Sequence, residues 1–318
     1  EAFSKFPQGF ILGSETASTV SSRGIYKFPV VQEKDKQYPD FQSSSYDLEA
    51  CSWSNVPDED FVLQEDKPWV IGEFVWTGFD YLGEPTPYDE SWPSRSSYFG
   101  INDLAGLPKD RYYLYRSRWN TKESTLHILP HWNWEGREGE TTPVFVYTSY
   151  NSAELFINGK SLGVQTKNKS TPQNRYRLMW MNVKYEPGTV KVVAFDDNGK
   201  AVAEEEVRTA GKPYQIVLDA DRKIISADGE DISFVTVSVV DKNGIPCPTA
   251  TNQLKFKVSG AGTYRAACNG DATSLEMFHK DTMKLFSGKL VVLVKSTTTA
   301  GDIKLEVKGA GLKSGKLT

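Results

Sequence analysis

A β/α unit followed by two all-β sandwiches is the architecture that this 318-residue sequence predicts, and three observations carry the prediction. Two nearly continuous apolar runs, Phe10 to Leu12 and Val70 to Trp76 ("VIGEFVW"), flank a helical stretch within the first 124 residues. Strict alternation of apolar and polar residues takes over after residue 125 or so, and four Asn-Gly pairs punctuate it. The length exceeds one ordinary domain, and 39% hydrophobic with 25% charged residues gives each of two or three units material for its own core.

Apolar runs without alternation are what parallel strands buried on both faces require. Between them, "PDEDFVLQEDKPW" (57 to 69) opens with Pro57, Asp58 and Glu59 and stops before Pro68, the punctuation of a short helix. In such a strand, helix, strand unit, reactive groups belong at the carboxyl ends of the strands. Glu15 follows the first run in "GFILGSETAST", just past Gly13 and Ser14, which allow the backbone to turn. The residues alone leave Glu15 open between a capping or solvated loop acid and a placed reagent. Trp76 closes the second run, and Asp80 and Glu84 follow in "TGFDYLGEP", where a rim carboxylate suits a sugar hydroxyl. A core role for Trp76 and a wall or ion-pair role for Glu73 are equally open. From Lys109 onward a helix is expected, its Arg and Tyr residues forming a solvated face.

The alternating region begins with "HILPHWNW", in which His127 and His131 have no Cys or nearby carboxylate at ligand spacing and suit a structural role. "QLKFKV" turns Leu254, Phe256 and Val258 to one side, and "DIKLEVK" does the same with Ile303, Leu305 and Val307. The pairs Asn158-Gly159, Asn198-Gly199, Asn243-Gly244 and Asn269-Gly270 mark hairpin turns, because both residue types tolerate positive φ. "EEE" at 204 to 206 reads as a strand edge, and the polar "TAGKP" at 209 to 213 divides sandwiches at 125–210 and 211–318.

A net charge of -4 gives no electrostatic reason to expect nucleic acid. No apolar stretch approaches the roughly 20 residues of a spanning helix, and the start shows no signal-peptide pattern, so a targeting segment is expected to be absent or removed. Cys51, Cys247 and Cys268 are too scattered for a disulfide framework or zinc site, with pairing of Cys247 and Cys268 left open for an exported chain. Phosphate-loop, nucleophile-elbow and Cys/His patterns are missing. Aromatic residues are plentiful, 16 Phe, 15 Tyr and 8 Trp, and such rings pack on sugars as readily as in sandwich cores.

"GSETAST", "GEFVWTGFDYLGEP" and "SSYFGINDLAGLPKDRYYLYRSRW", in that order, resemble family 2 glycoside hydrolases, especially the β-galactosidase-like members with extra carboxyl-terminal sandwiches. "HILPHWNWEGREGE…AELFINGKSLG" is similar to the sandwich that follows their barrel, and "SADGEDISFVTVSVVDKNG…ACNGDATSLE" to their last immunoglobulin-like domain. The resemblance implies that residues 1–124 are the last quarter, strands 7 and 8, of a (β/α)8 TIM barrel followed by two immunoglobulin-like sandwiches. It carries the nucleophile of a retaining exo-acting β-glycosidase, first a β-galactosidase, onto Glu15. That carboxylate would form a glycosyl ester, released by water that a second carboxylate ~5 Å away activates. Ser14 and Thr16 would orient it.

By the same resemblance Trp76 is the floor of the sugar subsite, and Asp80 and Glu84 are rim contacts. Asn102, with the Phe99 carbonyl, would help hold a sodium ion, and no other cofactor is implied. The family's acid/base comes from an Asn-Glu motif, and this sequence contains no Asn-Glu dipeptide. The expectation is therefore a chain inactive alone, whose partners are the remainder of the barrel and an oligo- or polysaccharide with a terminal β-linked sugar. β-Glucuronidases and β-mannosidases share the architecture, and relatives of this layout suggest a periplasmic or extracellular setting. The rival expectation is a non-catalytic carbohydrate-binding or adhesion protein with Trp132, Trp134 and Trp180 exposed as stacking platforms; a purely structural role for the sandwiches is the third.

Overall fold

The computed structural model describes residues 2–5 and 9–318. Its first part carries a one-turn helix α1 (Ala2–Lys5), strand β1 (Ile11–Thr16), two-residue strands β2 (Glu33–Lys34) and β3 (Glu49–Ala50), helix α2 (Pro57–Asp66), strand β4 (Val70–Val75) and helix α3 (Asp110–Trp119). β1 and β4 pair in parallel with α2 between them in sequence. Pro57 opens α2, and Asp58, Glu59 and Asp60 in its first turn suit the positive end of the helix dipole. Among the described residues this part contributes two separate two-stranded parallel sheets, and no closed barrel is evident.

The remainder is two stacked pairs of antiparallel sheets. β5 (Leu126–Leu129), β6 (Val144–Thr148), β7 (Ser152–Ile157), β8 (Lys160–Thr166), helix α4 (Pro172–Tyr176), β9 (Arg177–Trp180), β10 (Thr189–Phe195) and β11 (Ala201–Arg208) come first. Their sheets run β5-β6-β9 and β11-β10-β7-β8, around a core that includes Trp132, Val146, Leu155, Trp180 and Val192. The acidic run Glu204 to Glu206 lies on β11, an edge strand as expected. β12 (Gln215–Ala220), β13 (Ile232–Val240), β14 (Gln253–Gly260), β15 (Gly262–Cys268), β16 (Thr282–Lys284), β17 (Lys289–Ser296), β18 (Ile303–Gly309) and β19 (Gly315–Leu317) follow. They form sheets β12-β13-β17-β15 and β16-β14-β18-β19. Leu254, Phe256, Leu305 and Val307 face the core between them, as their alternation predicts.

Two features depart from the period-2 pattern. β6, "VFVYT", is buried along its whole length because both of its faces are covered. Val144 and Val146 enter the sandwich core, while Phe145 and Tyr147 pack on the other side with Phe61 of α2 and Leu114 and Tyr115 of α3. This layer is pinned by the buried Arg177 guanidinium, whose Nε donates to Asp58 at the start of α2 at 3.0 Å and whose Nη1 reaches the Tyr46 carbonyl and the Tyr147 hydroxyl, each at 3.1 Å. The Asn-Gly pairs also divide. Asn158-Gly159 and Asn198-Gly199 join the paired strands β7–β8 and β10–β11, and Asn243-Gly244 closes a tight antiparallel reversal in which Val240 bridges Pro246, whereas the turn at 269–270 leads from one sheet towards the other. A glycine with positive φ permits a reversal without choosing the strand that pairs next.

Cys51, Cys247 and Cys268 are free thiols, so the open pairing of Cys247 with Cys268 is not made. Among the described residues no helix is long and apolar enough to cross a membrane. Trp132 and Trp180 are buried, their indole N–H groups donating to the Glu186 and Gly163 carbonyls. Trp134 is partly buried and stacks on His131 at 4.3 Å, with Tyr26 and Phe28 against its edges. The rival expectation of three exposed stacking platforms fails, and the reading of these rings as sandwich core or as contacts with the first part holds: they close a sandwich core and its contact with that part.

His131 is a structural histidine in this contact. Its Nδ1 accepts the Asn133 backbone N–H at 3.3 Å, which fixes a neutral ring, and burial pushes its pKa down to about 4 against the pull of Asp110. The unfolded chain binds a proton here below about pH 6.5 while the folded chain does not, so this residue makes stability fall as pH drops from about 6.5 to 4. Replacing His131 with Gln is expected to flatten that interval of the stability profile, read as urea midpoints of the two proteins at matched pH values.

Candidate active site

β1 is longer than its apolar run predicts. Its ladder continues to Thr16, so Glu15 lies within the strand's last turn of pleat and not in the following loop. Gly13 pairs with Glu73 and Thr16 with Val75, which leaves one extra residue on β1 between them. This bulge spans Ser14 and Glu15. Ile11, Gly13, Thr16 and Glu73 line the cavity against α2, and the Thr16 hydroxyl donates to the Glu73 carboxylate. A Cβ on Gly13 would meet the Thr16 methyl at 2.5 Å, so this face has room only for glycine. Ser14 and Glu15, the residues spanned by the bulge, are both exposed, as is Phe74 on β4.

Trp76 is joined directly to the end of β1, its backbone N–H donating to the Thr16 carbonyl at 2.8 Å. The indole N–H donates to the Tyr81 hydroxyl at 3.1 Å, and that hydroxyl donates to the exposed Glu84 carboxylate. Burial and Glu84 push the Tyr81 hydroxyl up to about 12, keeping it a donor at neutral pH. Tyr81 thus orients Trp76 and occupies Glu84, a relation that spacing in "WTGFDYLGE" does not reveal. Glu84 remains at the rim; Asp80 does not.

Asp80 is buried, which corrects its assignment as a rim contact. One oxygen accepts the Gly100 N–H at 2.7 Å and the other pairs with the equally buried Lys109 ammonium at 2.7 Å. Burial raises its carboxyl to about 6, with Lys109 opposing the rise. Gly100 is required here: a Cβ would lie 2.2 Å from both the Asp80 N and the Asn102 O. Lys109 also donates to the Ser21 and Tyr98 carbonyls, at 2.7 and 3.1 Å. Arg111 spans the same gap, from the Thr19 carbonyl to those of Phe99 and Gly100 at 2.7 and 2.8 Å. The expectation of a solvated Arg and Tyr face on α3 is therefore overturned for Arg111 and Tyr115, both buried. Helix periodicity marks a face but not what covers it.

Of the residues suggested for sodium, the Phe99 carbonyl accepts from the Arg111 guanidinium and from the Thr77 N–H. The Asn102 side chain donates to the Gly78 carbonyl at 3.0 Å and ties the loop after Trp76. Among the described residues no group of three His, Cys, Asp or Glu side chains is placed to hold a metal.

A loop from the last sandwich completes the surroundings. Ala272 packs with Val20, Tyr88, Tyr98 and Phe99, close to Trp76 and Tyr81, and its carbonyl accepts the Arg95 N–H at 3.1 Å. Asp271 accepts from Gln42 at 2.9 Å, and Gly270 lies where a Cβ would strike Asp103. The buried Arg23 donates to Asp103 and to the Asn269 and Phe286 carbonyls. The segment "ACNGDATSLE" thus buttresses the loops behind the site, a role its sequence does not announce.

Residues 216–318 match the family model described as glycoside hydrolase family 2 C-terminal domain 5, and residues 139–203 match one described as a domain of unknown function (DUF4982). The chain is 44% identical, over 98% of its length, to a β-galactosidase, BoGH2A, of Bacteroides ovatus, and 35% identical over 71% to a putative β-glucuronidase of Formosa agariphila. It spans 36% and 22% of those two proteins, about a third of their length or less. The crystal structure of a β-glycosidase from Bacteroides vulgatus superposes with a TM-score of 0.86 at 32% identity, over 99% of this chain and 42% of that one. The chain belongs to glycoside hydrolase family 2.

Lys109→Met is expected to lower stability by about 3–5 kcal/mol, because it strands Asp80 as an unpaired buried carboxylate and frees two loop carbonyls. Equilibrium denaturation measures the loss. The double variant with Asp80→Asn should recover part of it, since the charge then disappears with its partner.

Proposed function

We propose that this chain is the carboxyl-terminal portion of a retaining β-glycosidase, with residues 1–124 contributing the last two strands of the catalytic barrel and 125–210 and 211–318 its supporting sandwiches. The observation that supports the reading is that Glu15 lies near the carboxyl end of β1 and Trp76 directly after the paired parallel strand β4, its N–H bonded to the Thr16 carbonyl. Strands of a parallel barrel deliver their reactive side chains there.

In this reading Glu15 is the nucleophile. Its carboxylate attacks the anomeric carbon while an acid from the adjoining part of the barrel protonates the leaving oxygen; water then cleaves the glycosyl ester with that same residue acting as base. Trp76 lies under the less polar face of the sugar ring, held by Tyr81. Binding energy along the indole orients the anomeric carbon towards the carboxylate. The exposure of Glu15 on β1 and of Phe74 on β4, the latter 65% exposed, supports the need for adjoining strands, since in a closed barrel the inner faces of both strands would be enclosed. A β-galactoside is the proposed substrate, supported by the 44% identity to the Bacteroides ovatus β-galactosidase.

The test uses the complete enzyme that contains this chain. Glu15→Gln should reduce hydrolysis of an aryl β-galactoside on the order of a thousandfold or more, and a 2-fluoro galactoside should label the peptide holding Glu15 in the unaltered enzyme. Labelling of a different carboxylate would reject the assignment. The 318-residue chain by itself is expected to show no turnover of the same glycoside.

A further inference from the structure

A polar cavity of roughly 300 Å3 lies where α2 and α3 meet the first sandwich, and the mechanism does not use it. α2 runs from Pro57 to Asp66 and β4 returns from Val70 towards Trp76. Glu65 and the cavity therefore lie at the opposite end of the strands from the candidate active site. Four cations line it, Arg118 from α3 and Lys167, Lys169 and Arg175 from the sandwich, against the single carboxylate of Glu65.

That carboxylate is already shared. It accepts from Arg175 at 3.1 Å, from Arg118 at 3.5 Å and from the Tyr176 hydroxyl at 2.9 Å. Asp66, just outside, is held by Arg175 through two hydrogen bonds of 2.9 and 2.5 Å. Positive charge is left over. The Nε of Arg175, a side chain only 9% exposed, is buried without an acceptor. Lys167 donates to the Thr148 carbonyl at 2.5 Å and pairs with no acid. Its burial, with Arg118 as the next cause, holds the ammonium down to about 8, which is what an uncompensated cation in a partly desolvated place does. The dipole of α3 accounts for Arg118 in its last turn. It does not account for two lysines converging from another sheet.

We propose that this cavity is an oxyanion site that receives the carboxylate or sulfate of an acidic saccharide, with Lys167, Lys169 and Arg118 as its donors. The saccharide part rests on the glycosidase reading; the oxyanion part rests on the charge of the cavity alone. Both groups present planar or tetrahedral oxygens that ammonium and guanidinium donors meet with charge-assisted hydrogen bonds. Occupied from below, the site would hold an acidic chain to the enzyme without entering the catalytic face.

Isothermal titration calorimetry of the 318-residue chain at low ionic strength tests it with four probes: a uronate-containing disaccharide, a sulfated disaccharide, a neutral disaccharide and inorganic sulfate. The acidic disaccharides should bind, weaken with added salt and lose roughly tenfold in affinity in Lys167→Met. Lys167→Arg should retain binding. Lys169→Ala, at an exposed position where folding is not at stake, should weaken it by roughly threefold. Glu15→Gln should leave it unchanged, separating this site from the catalytic one. Inorganic sulfate binding as tightly as the disaccharides would overturn the saccharide part and keep the oxyanion part. Neutral disaccharide binding equally well, or anion affinities indifferent to both lysine substitutions, would overturn the whole.

Discussion

Long irregular connections near a buried site face one constraint above others: their backbone carbonyls have no ladder to join and must still be paired. The stretches 17–48 and 76–109 meet it with cations. Lys109 places its ammonium among the Ser21 carbonyl, the Tyr98 carbonyl and the Asp80 carboxylate, which uses all three of its donors. Arg111, two residues further on in the first turn of α3, closes on Thr19, Phe99 and Gly100. Hydrogen bonds to a charged donor contribute about 1.5–3 kcal/mol each, enough together to offset part of the several kcal/mol that burying each ion costs. The chain after β1 and the chain after β4 are thereby held to one helix start, and Glu15 and Trp76 are fixed relative to each other through it.

The sandwiches extend this arrangement. Arg23 reaches from the loop after β1 to Asp103 and to two carbonyls of the last sandwich, and Arg177 reaches from the first sandwich to Asp58 at the start of α2. Each buried guanidinium crosses a boundary between sheets. A single bidentate or forked donor can satisfy acceptors from several chain segments at fixed angles, so the contact between layers has a defined register instead of a sliding apolar surface. A family 2 segment organised this way needs its sandwiches for more than bulk: residues 269–272 stand directly behind Tyr98 and Phe99.

The sequence made the regular parts legible because they obey one period at a time. Pro57 and the acids after it announce α2, and Leu305 and Val307 announce a half-buried strand; "VIGEFVW" announces a strand, but the burial on both faces that it predicts is not found, Ile71 and Phe74 being exposed on β4. What stayed hidden depends on contacts between distant segments. Asp80 looks like Glu84 in a string of letters, yet Lys109, 29 positions later, draws one into the interior while the other stays at the rim. The Phe99 carbonyl carries no mark in sequence of the guanidinium that takes it. Trp132 and Trp180 could have been platforms on composition, and only the stacking of two sheets decides that they are core.

The bulge in β1 joins these levels. Without the extra residue between Gly13 and Thr16, simple alternation from Gly13 would send Glu15, and not Thr16, towards α2 and the half-buried Glu73. With the bulge, Thr16 meets Glu73, and the glycine at position 13 makes room for the Thr16 methyl. A family pattern written as Gly-Ser-Glu-Thr is, in physical terms, a rule for placing one charge.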